Sequence, residues 1–296
     1  MSHPASPPRP TFEHWLLLGI LTVLWGSAYA FIKHAVDYLP PAALILVRIS
    51  GAAVLLTAWA VLRGRRMPAI NDKRWLWFAG LGLFGNTLPF FLISWGQQTL
   101  DSALTGILVA VMPLITIALA HPLVPGERMT LQKSLGFLIG FVGVIILLGP
   151  AALEGLGGPT LVSQLAVLGA AACYSINAIL ARLLPETSPS VSGAGMLIMA
   201  SILALPFGLY ELMQVEVVPV SAWGAVAWLA IAPTAIASVM LMHVARTAGP
   251  GFLAIVNYLT PIAAVITGVI IGETIGWSVL LALAIILSGV WLSRRN

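Results

Sequence analysis

The stretch from Ala103 to Glu127 sets the problem for the whole chain. It reads Ala-Leu-Thr-Gly-Ile-Leu-Val-Ala-Val-Met-Pro-Leu-Ile-Thr-Ile-Ala-Leu-Ala-His-Pro-Leu-Val-Pro-Gly-Glu, apolar and long enough to cross a bilayer, with Pro113 in its middle. Backbone polar groups find no water in hydrocarbon, so a crossing segment must be a helix that bonds internally. A proline inside that helix removes a donor and crowds the carbonyl four residues back. A second version runs from Gly251 to Glu273, with Tyr-Leu-Thr-Pro at 258–261 and Gly272-Glu273 at its end. Aligning Ala103 with Gly251 gives 251 − 103 = 148, and Pro113 with Pro261 gives 261 − 113 = 148. The closing acids give 273 − 127 = 146, so one copy carries two extra residues. A broken apolar helix occurring twice in one chain points to a transporter's substrate site.

The surrounding sequence has the same character. It is 59% hydrophobic and 8% charged, against roughly 45–50% and about 25% in soluble domains. That excludes a soluble globular domain and predicts an all-α polytopic membrane protein. Each span needs about 20 residues, and ten can be drawn: 15–36, 40–62, 75–95, 101–121, 132–149, 161–183, 190–212, 222–245, 250–271 and 275–293. Short loops remain, with no room for a soluble catalytic domain. Residues 1–14 are Pro-rich and polar and read as a disordered cytoplasmic tail. Residues 15–150 form a first half, 151–160 a linker and 161–296 a second half.

The basic residues orient the chain. Arg9, Arg63, Arg65, Arg66, Lys73, Arg74, Arg128, Lys133, Arg182, Arg246, Arg294 and Arg295 fall on one side of a ten-span arrangement, and only Lys33 and Arg48 do not. The positive-inside rule then puts both termini in the cytoplasm. The net charge of +4 is therefore a topology signal, and no nucleic acid is expected as a partner. Cys173 is the one cysteine, so no intramolecular disulfide framework exists. No cofactor or metal site is expected. The hydrolase motifs His-Glu-x-x-His and Gly-x-Ser-x-Gly do not occur, which argues against an intramembrane enzyme.

The repeat extends further. Trp25-Gly26-Ser27-Ala28 aligns with Tyr174-Ser175-Ile176-Asn177 at 174 − 25 = 149, and Pro41 aligns with Pro189 at 189 − 41 = 148. Each half holds five spans, an odd number, so the second half is inverted relative to the first, with a site near the midplane where they meet.

These residues carry a family resemblance. Trp-Gly-Ser at 25–27, Leu-Val-Arg at 46–48, Ala103 through Met112-Pro113-Leu114, and Glu127 followed by Gly136, Gly140 and Gly143-Val144 resemble the EamA half-repeat. Tyr258-Leu259-Thr260-Pro261 and Gly272-Glu273 resemble its second copy. The pattern covers nearly the whole chain. It is similar to the ten-helix members of the drug/metabolite transporter superfamily, and more closely to their bacterial amino-acid exporters. It departs in the second half, where Tyr174-Ser175 stands in place of Trp-Gly and Met196 lies near the position of a second Arg. The resemblance implies a multi-pass protein of the bacterial inner membrane. It also implies that spans 5 and 10 lie outside the central bundle, where they would support a homodimer.

Candidate site residues follow from cost and position. Pro89, Pro113, Pro233 and Pro261 fall inside spans 3, 4, 8 and 9 and read as matched pairs of kinks lining a cavity; tolerated kinks are the plainer reading. Asn86, Asn177 and Asn257 are amides within spans, each expensive to bury unpaired, and are assigned to the cavity. Trp25, Tyr29, Phe90, Tyr174 and Tyr258 lie at similar depth, and with Met112 they would meet the substrate's side chain. His243 is placed in the same set, with proton carriage open to it as to His121, although a span-end position better suits a structural hydrogen bond. Arg48 sits about 12 Å into span 2. It would snorkel outward, pair with a structural acid, hold a substrate carboxylate, or gate. No Asp or Glu lies deep in a span, so the carboxylate relay of coupled pumps is missing, and an uncoupled facilitator is expected. The expected cargo is a neutral amino acid, large or aromatic ones included. Drugs or quaternary cations are the alternative within this fold, and a channel or sensor the alternative outside the transporter class.

Overall fold

The computed structural model describes residues 10–123, 129–148 and 159–294. Glu127 and most of the 151–160 linker lie outside them. Every regular element among the described residues is helical. Each drawn span corresponds to one helix: α1 Phe12–Val36, α2 Pro41–Leu62, α3 Arg74–Gly96, α4 Ser102–Leu123, α5 Leu131–Leu148, α6 Pro159–Leu183, α7 Pro189–Leu212, α8 Val220–Thr247, α9 in two pieces Gly249–Leu253 and Val256–Ile270, and α10 Trp277–Arg294. Helices α1 to α8 are long and apolar enough to cross a membrane, while Val256–Ile270 and α10 are apolar but shorter. The sequence reading drew α4 and α9 each as one span; turns at Ala110–Val111 and Ala254–Ile255 divide them.

The packing repeats itself between the halves. Helix α2 packs on α7 and α5 on α10; α1 packs on α9 as α6 does on α4; α3 packs on α6 as α1 does on α8; α7 packs on α3 as α2 does on α8. Replacing each helix by its counterpart five places along leaves these pairings unchanged. The largest apolar core draws on α1, α2, α3, α6, α7 and α8, and a second joins α4, α5, α9 and α10.

The α5–α10 pair is held backbone to backbone. A Cβ on Gly289 would lie 2.5 Å from both the Gly136 carbonyl oxygen and the Gly140 nitrogen. The small-residue stripe of α5 is thus filled within the chain. Its other face carries Leu138, Phe141 and Ile145, all exposed, as a lipid-facing surface requires.

Two helices contain a wide turn. Leu83–Thr87 in α3 and Ile231–Ile236 in α8 are π-helical. They are repeat counterparts, since 231 − 83 = 148 and 236 − 87 = 149. This corrects the pairing of the prolines. Pro113 and Pro261 correspond, but Pro89 and Pro233 differ by 233 − 89 = 144. The repeat preserves the bulge, and a proline inside it (Pro233) or two residues beyond it (Pro89) accompanies it equally well, because both remove a donor from the same stretch of ladder.

Two long-range contacts tie the halves at helix ends. Gly272, at φ +92°, closes α9 in the left-handed conformation that glycine adopts without strain. The Gly272 and Glu273 N–H groups donate back to Val269 and Gly268 carbonyls at 3.1 and 2.9 Å, a Schellman closure. The reversal throws the Glu273 carboxylate onto the first turn of α4, where it accepts from the Ser102 and Ala103 N–H groups at 2.7 and 3.0 Å. Glu211, at the end of α7, does the same for α2, accepting from Ala42 and Ala43 at 2.7 and 3.0 Å. Carboxylates suit helix N-termini because the unpaired amides and the helix dipole both favour negative charge there.

Candidate functional site

The site is built from the defect in α8. Pro233 has no N–H to give the Leu229 carbonyl, which would stand bare in the protein interior. The Thr234 hydroxyl replaces the missing donor, reaching Leu229 O at 2.7 Å. Its lone pair then accepts from Arg48 Nε at 3.0 Å. A proline in one half thereby fixes the position of an arginine in the other.

Arg48 is buried, with 4% of its surface exposed, so snorkelling is excluded. Its guanidinium carbon lies 3.8 Å from the centroid of the Phe90 ring, a cation–π geometry. The Tyr29 and Tyr174 phenols are within electrostatic reach of its charge. Among the described residues the bond to Thr234 is its one hydrogen bond, and no carboxylate lies within ion-pair distance. The structural acid that the sequence left open is not found among the described residues.

Beside this group lie two amides. Asn86 is in the π turn of α3 and is 4% exposed, and its Nδ2 has no partner. Asn177, on α6, lies over the same turn: a Cβ on Gly85 would be 2.8 Å from Asn177 Oδ1. Only a glycine there lets the amide approach. Asn177 Oδ1 is likewise buried without a partner. Such groups cost a few kcal/mol each unless something completes them. Asn86 and Thr234 are repeat counterparts, since 234 − 86 = 148.

Tyr29, Phe90, Tyr174 and Arg48 are therefore gathered together, with Asn86 on the turn before Phe90 in α3 and Asn177 on the turn after Tyr174 in α6. The remaining predicted residues are placed elsewhere. Trp25 belongs to a separate cluster of α1, α8 and α9, and its indole N–H donates to the Pro233 carbonyl at 3.0 Å. Tyr258 packs in the α4–α5–α9–α10 core and donates to Val290 O at 3.2 Å. Met112 contributes its carbonyl, which accepts from Ser175 Oγ at 2.9 Å beside the turn at Ala110–Val111 that precedes Pro113. Asn257 is half-buried and makes no side-chain hydrogen bond among the described residues; its carbonyl is the one that Pro261 leaves without a helical donor. His243 is exposed at the end of α8 and faces Glu13 at 3.4 Å. It stands with the His14–Thr247 contact of 2.9 Å, which ties α1 to α8.

That contact also has a repeat counterpart. Thr99 Oγ1 donates to Ser163 Oγ at 2.7 Å between α3 and α6, with 247 − 99 = 148 and 163 − 14 = 149. A shallow depression of about 300 Å³ lies here, lined by Trp95, Gln98, Thr99, Val162 and Ser163. It is at a helix end, away from Arg48, and its lining is mainly apolar.

Sequence reasoning missed Thr234 as the partner of Arg48. The signal was present, a threonine directly after an intramembrane proline, but only the fold brings α2 to that turn. It also missed Glu211, whose α-helical neighbours say nothing about the α2 terminus it caps.

Comparison with known proteins adds the last observation. The sequence profile of the EamA-like transporter family matches residues 14–149 and 161–295. The chain is 25% identical over 272 residues to the uncharacterized inner membrane transporter YedA of Escherichia coli, covering 91% of this chain and 87% of that protein. It is 27% identical over 289 residues to a probable terminal-alkyne amino-acid exporter of Streptantibioticus cattleyicolor, covering 95% and 93%. A solved crystal structure shares the fold at TM-score 0.65 and 22% identity, covering 95% of this chain and 97% of the other.

Proposed function

The chain belongs to the EamA-like transporter family, and from that premise we propose that it exports neutral amino acids, large or aromatic ones included, across a bacterial inner membrane. The two halves work in opposite orientation, both termini are cytoplasmic, and the site between the halves is exposed alternately to either face. The observation that carries the reading is the cluster of unsatisfied polar groups among aromatics at the wide turns. Arg48, Asn86 and Asn177 offer charge and amide contacts to the polar end of an amino acid, and Tyr29, Phe90 and Tyr174 offer surface to its side chain. One relative of this chain bears the name of an amino-acid exporter, which agrees with that chemistry.

Wide turns and proline breaks are suited to such a cycle. A helix whose ladder is already interrupted bends there without breaking further hydrogen bonds. No Asp or Glu is buried among the described residues, so the reading is a facilitator driven by the substrate gradient. A homodimer would use the outer faces of α5 and α10, since their glycine contacts are already occupied.

Reconstitution into liposomes with radiolabelled amino acids tests the proposal. Counterflow of leucine or phenylalanine that needs no proton gradient is expected. Movement of quaternary cations in place of any amino acid would overturn the cargo assignment. Accumulation driven by an imposed proton gradient would overturn the uncoupled mechanism.

A further inference from the structure

Arg48 is the one buried cation in the described structure, and its surroundings occupy it unequally. One face of the guanidinium is covered by Phe90 at 3.8 Å. The Nε edge is taken by Thr234 at 3.0 Å. The Nη edge, which carries four of the five N–H donors of a guanidinium, makes no hydrogen bond to any described residue. That edge matches a carboxylate, whose two oxygens accept two parallel N–H bonds. A buried charge without a counter-ion is among the most costly features a membrane span can carry and marks a substrate site or ion pathway.

We propose that the Nη edge of Arg48 binds the carboxylate of the transported molecule, so that every cargo of this protein carries an accessible carboxylate. The inference rests on the amino-acid reading and narrows it: the anionic group is the obligatory determinant, and the amine is not. Thr234 acts as a positioning residue that fixes the guanidinium plane against Phe90. The unpartnered Asn86 Nδ2, on α3, and Asn177 Oδ1, on α6, serve the rest of the polar head. The arrangement is single. The repeat counterpart of Arg48 is Met196, at 196 − 48 = 148, so the second half offers no equivalent charge. One carboxylate is held per protein, and its binding neutralises the bare cation. Organic cations are rejected, since they would meet a like charge in a low-dielectric interior.

Four probes built on one aromatic skeleton separate the possibilities: L-phenylalanine, 3-phenylpropionate, L-phenylalaninamide and phenethylamine. Binding to the purified full chain is measured by equilibrium dialysis and transport by liposome counterflow. The first two should bind and exchange; the last two should bind at least about 30-fold more weakly, the discrimination expected when a buried charge loses its partner. Arg48→Gln should weaken phenylalanine binding by a similar factor, and Arg48→Lys, which keeps the charge but not the fork, by less. Helical content and monodispersity of each variant are checked first. Should Arg48→Gln unfold, Arg48→Lys and the four-probe series on the unaltered chain still decide. Phenylalaninamide binding as well as phenylalanine would overturn the carboxylate anchor while leaving amino-acid transport standing. Chloride displacing phenylalanine at matched concentration would also overturn it, reducing the site to a general anion hole. Exchange of phenethylamine but of no carboxylate would overturn both readings.

Discussion

Thr234→Val removes one oxygen and keeps the shape of the side chain, and it tests the chain of dependence from Pro233 to Arg48. Two bonds disappear. The Leu229 carbonyl loses its 2.7 Å donor, and Pro233 supplies no replacement; a buried acceptor left bare costs about 1–3 kcal/mol. The Arg48 Nε loses its 3.0 Å acceptor, and a hydrogen bond to a charged group contributes about 1.5–3 kcal/mol. Allowing for relaxation, the loss is about 3 kcal/mol. At roughly 2–4 °C per kcal/mol for chains of this size class, the melting temperature should fall by about 6–12 °C. The assay is thermal unfolding in detergent at a fixed scan rate, since membrane proteins unfold irreversibly and the apparent Tm depends on rate. Thr234→Ser keeps the hydroxyl and should stay close to the parent. Arg48→Met and the double variant complete a cycle, in which Thr234→Val should cost less by about 1.5–3 kcal/mol once the guanidinium is gone. Equal losses from Thr234→Val in both backgrounds would show that the Arg48–Thr234 bond contributes nothing. A Thr234→Val protein as stable as Thr234→Ser would refute the whole relay.

Three further outcomes are expected. Gly85→Ala places a Cβ 2.8 Å from Asn177 Oδ1, so the amide must turn away at a cost of about 1 kcal/mol; transport should fall with little loss of stability, and Asn177→Ala in the same chain should not restore it. Glu273→Ala removes the carboxylate from the Ser102 and Ala103 amides, a loss of about 1 kcal/mol; hydrogen exchange at the start of α4 should quicken about 5-fold, and unchanged exchange would dismiss the cap. Asp72, in the loop before α3, is held down to about 2 from its ordinary 3.8 by hydrogen bonds from Arg74. Because the folded value is depressed, the contribution is complete above pH 4 and disappears as pH falls towards 2. The Asp72 carboxyl resonance should titrate near that lower value and move up in Arg74→Gln, and a midpoint near 3.8 in the parent would contradict the contact.

Much of the architecture was legible from the chain alone. The described helices lie in the apolar runs drawn from the sequence, eight of them long enough to cross a membrane and two shorter, because hydrocarbon forces each crossing segment to bond its own backbone. The repeat was legible at Pro113 and Pro261, 148 residues apart in the chain, although the turns that break their helices, at Ala110–Val111 and Ala254–Ile255, stand 254 − 110 = 144 apart. It misled at Pro89 and Pro233, because identity of residue is a poor proxy for a wide turn that prolines at different offsets can accompany. Depth along a helix was also readable, and it selected Tyr29, Phe90, Tyr174, Asn86 and Asn177. Direction around the helix was not. Trp25 and Tyr258 sit at suitable depths, yet their polar atoms are committed to Pro233 and Val290.

What the sequence determined by itself is a membrane-spanning, twofold-repeated bundle, since those properties depend on local polarity and spacing along the chain. What only the tertiary structure decided is the fate of Arg48. The sequence shows a cation inside a span and leaves it open to snorkel outward, pair with an acid, hold a substrate carboxylate, or gate. The packing of α2 against α8 brings it to Thr234, the packing of α3 covers one face with Phe90, and no described acid is brought near. Charge compensation is a matter of which groups lie within a few ångströms, and residues 186 positions apart come that close only through the fold.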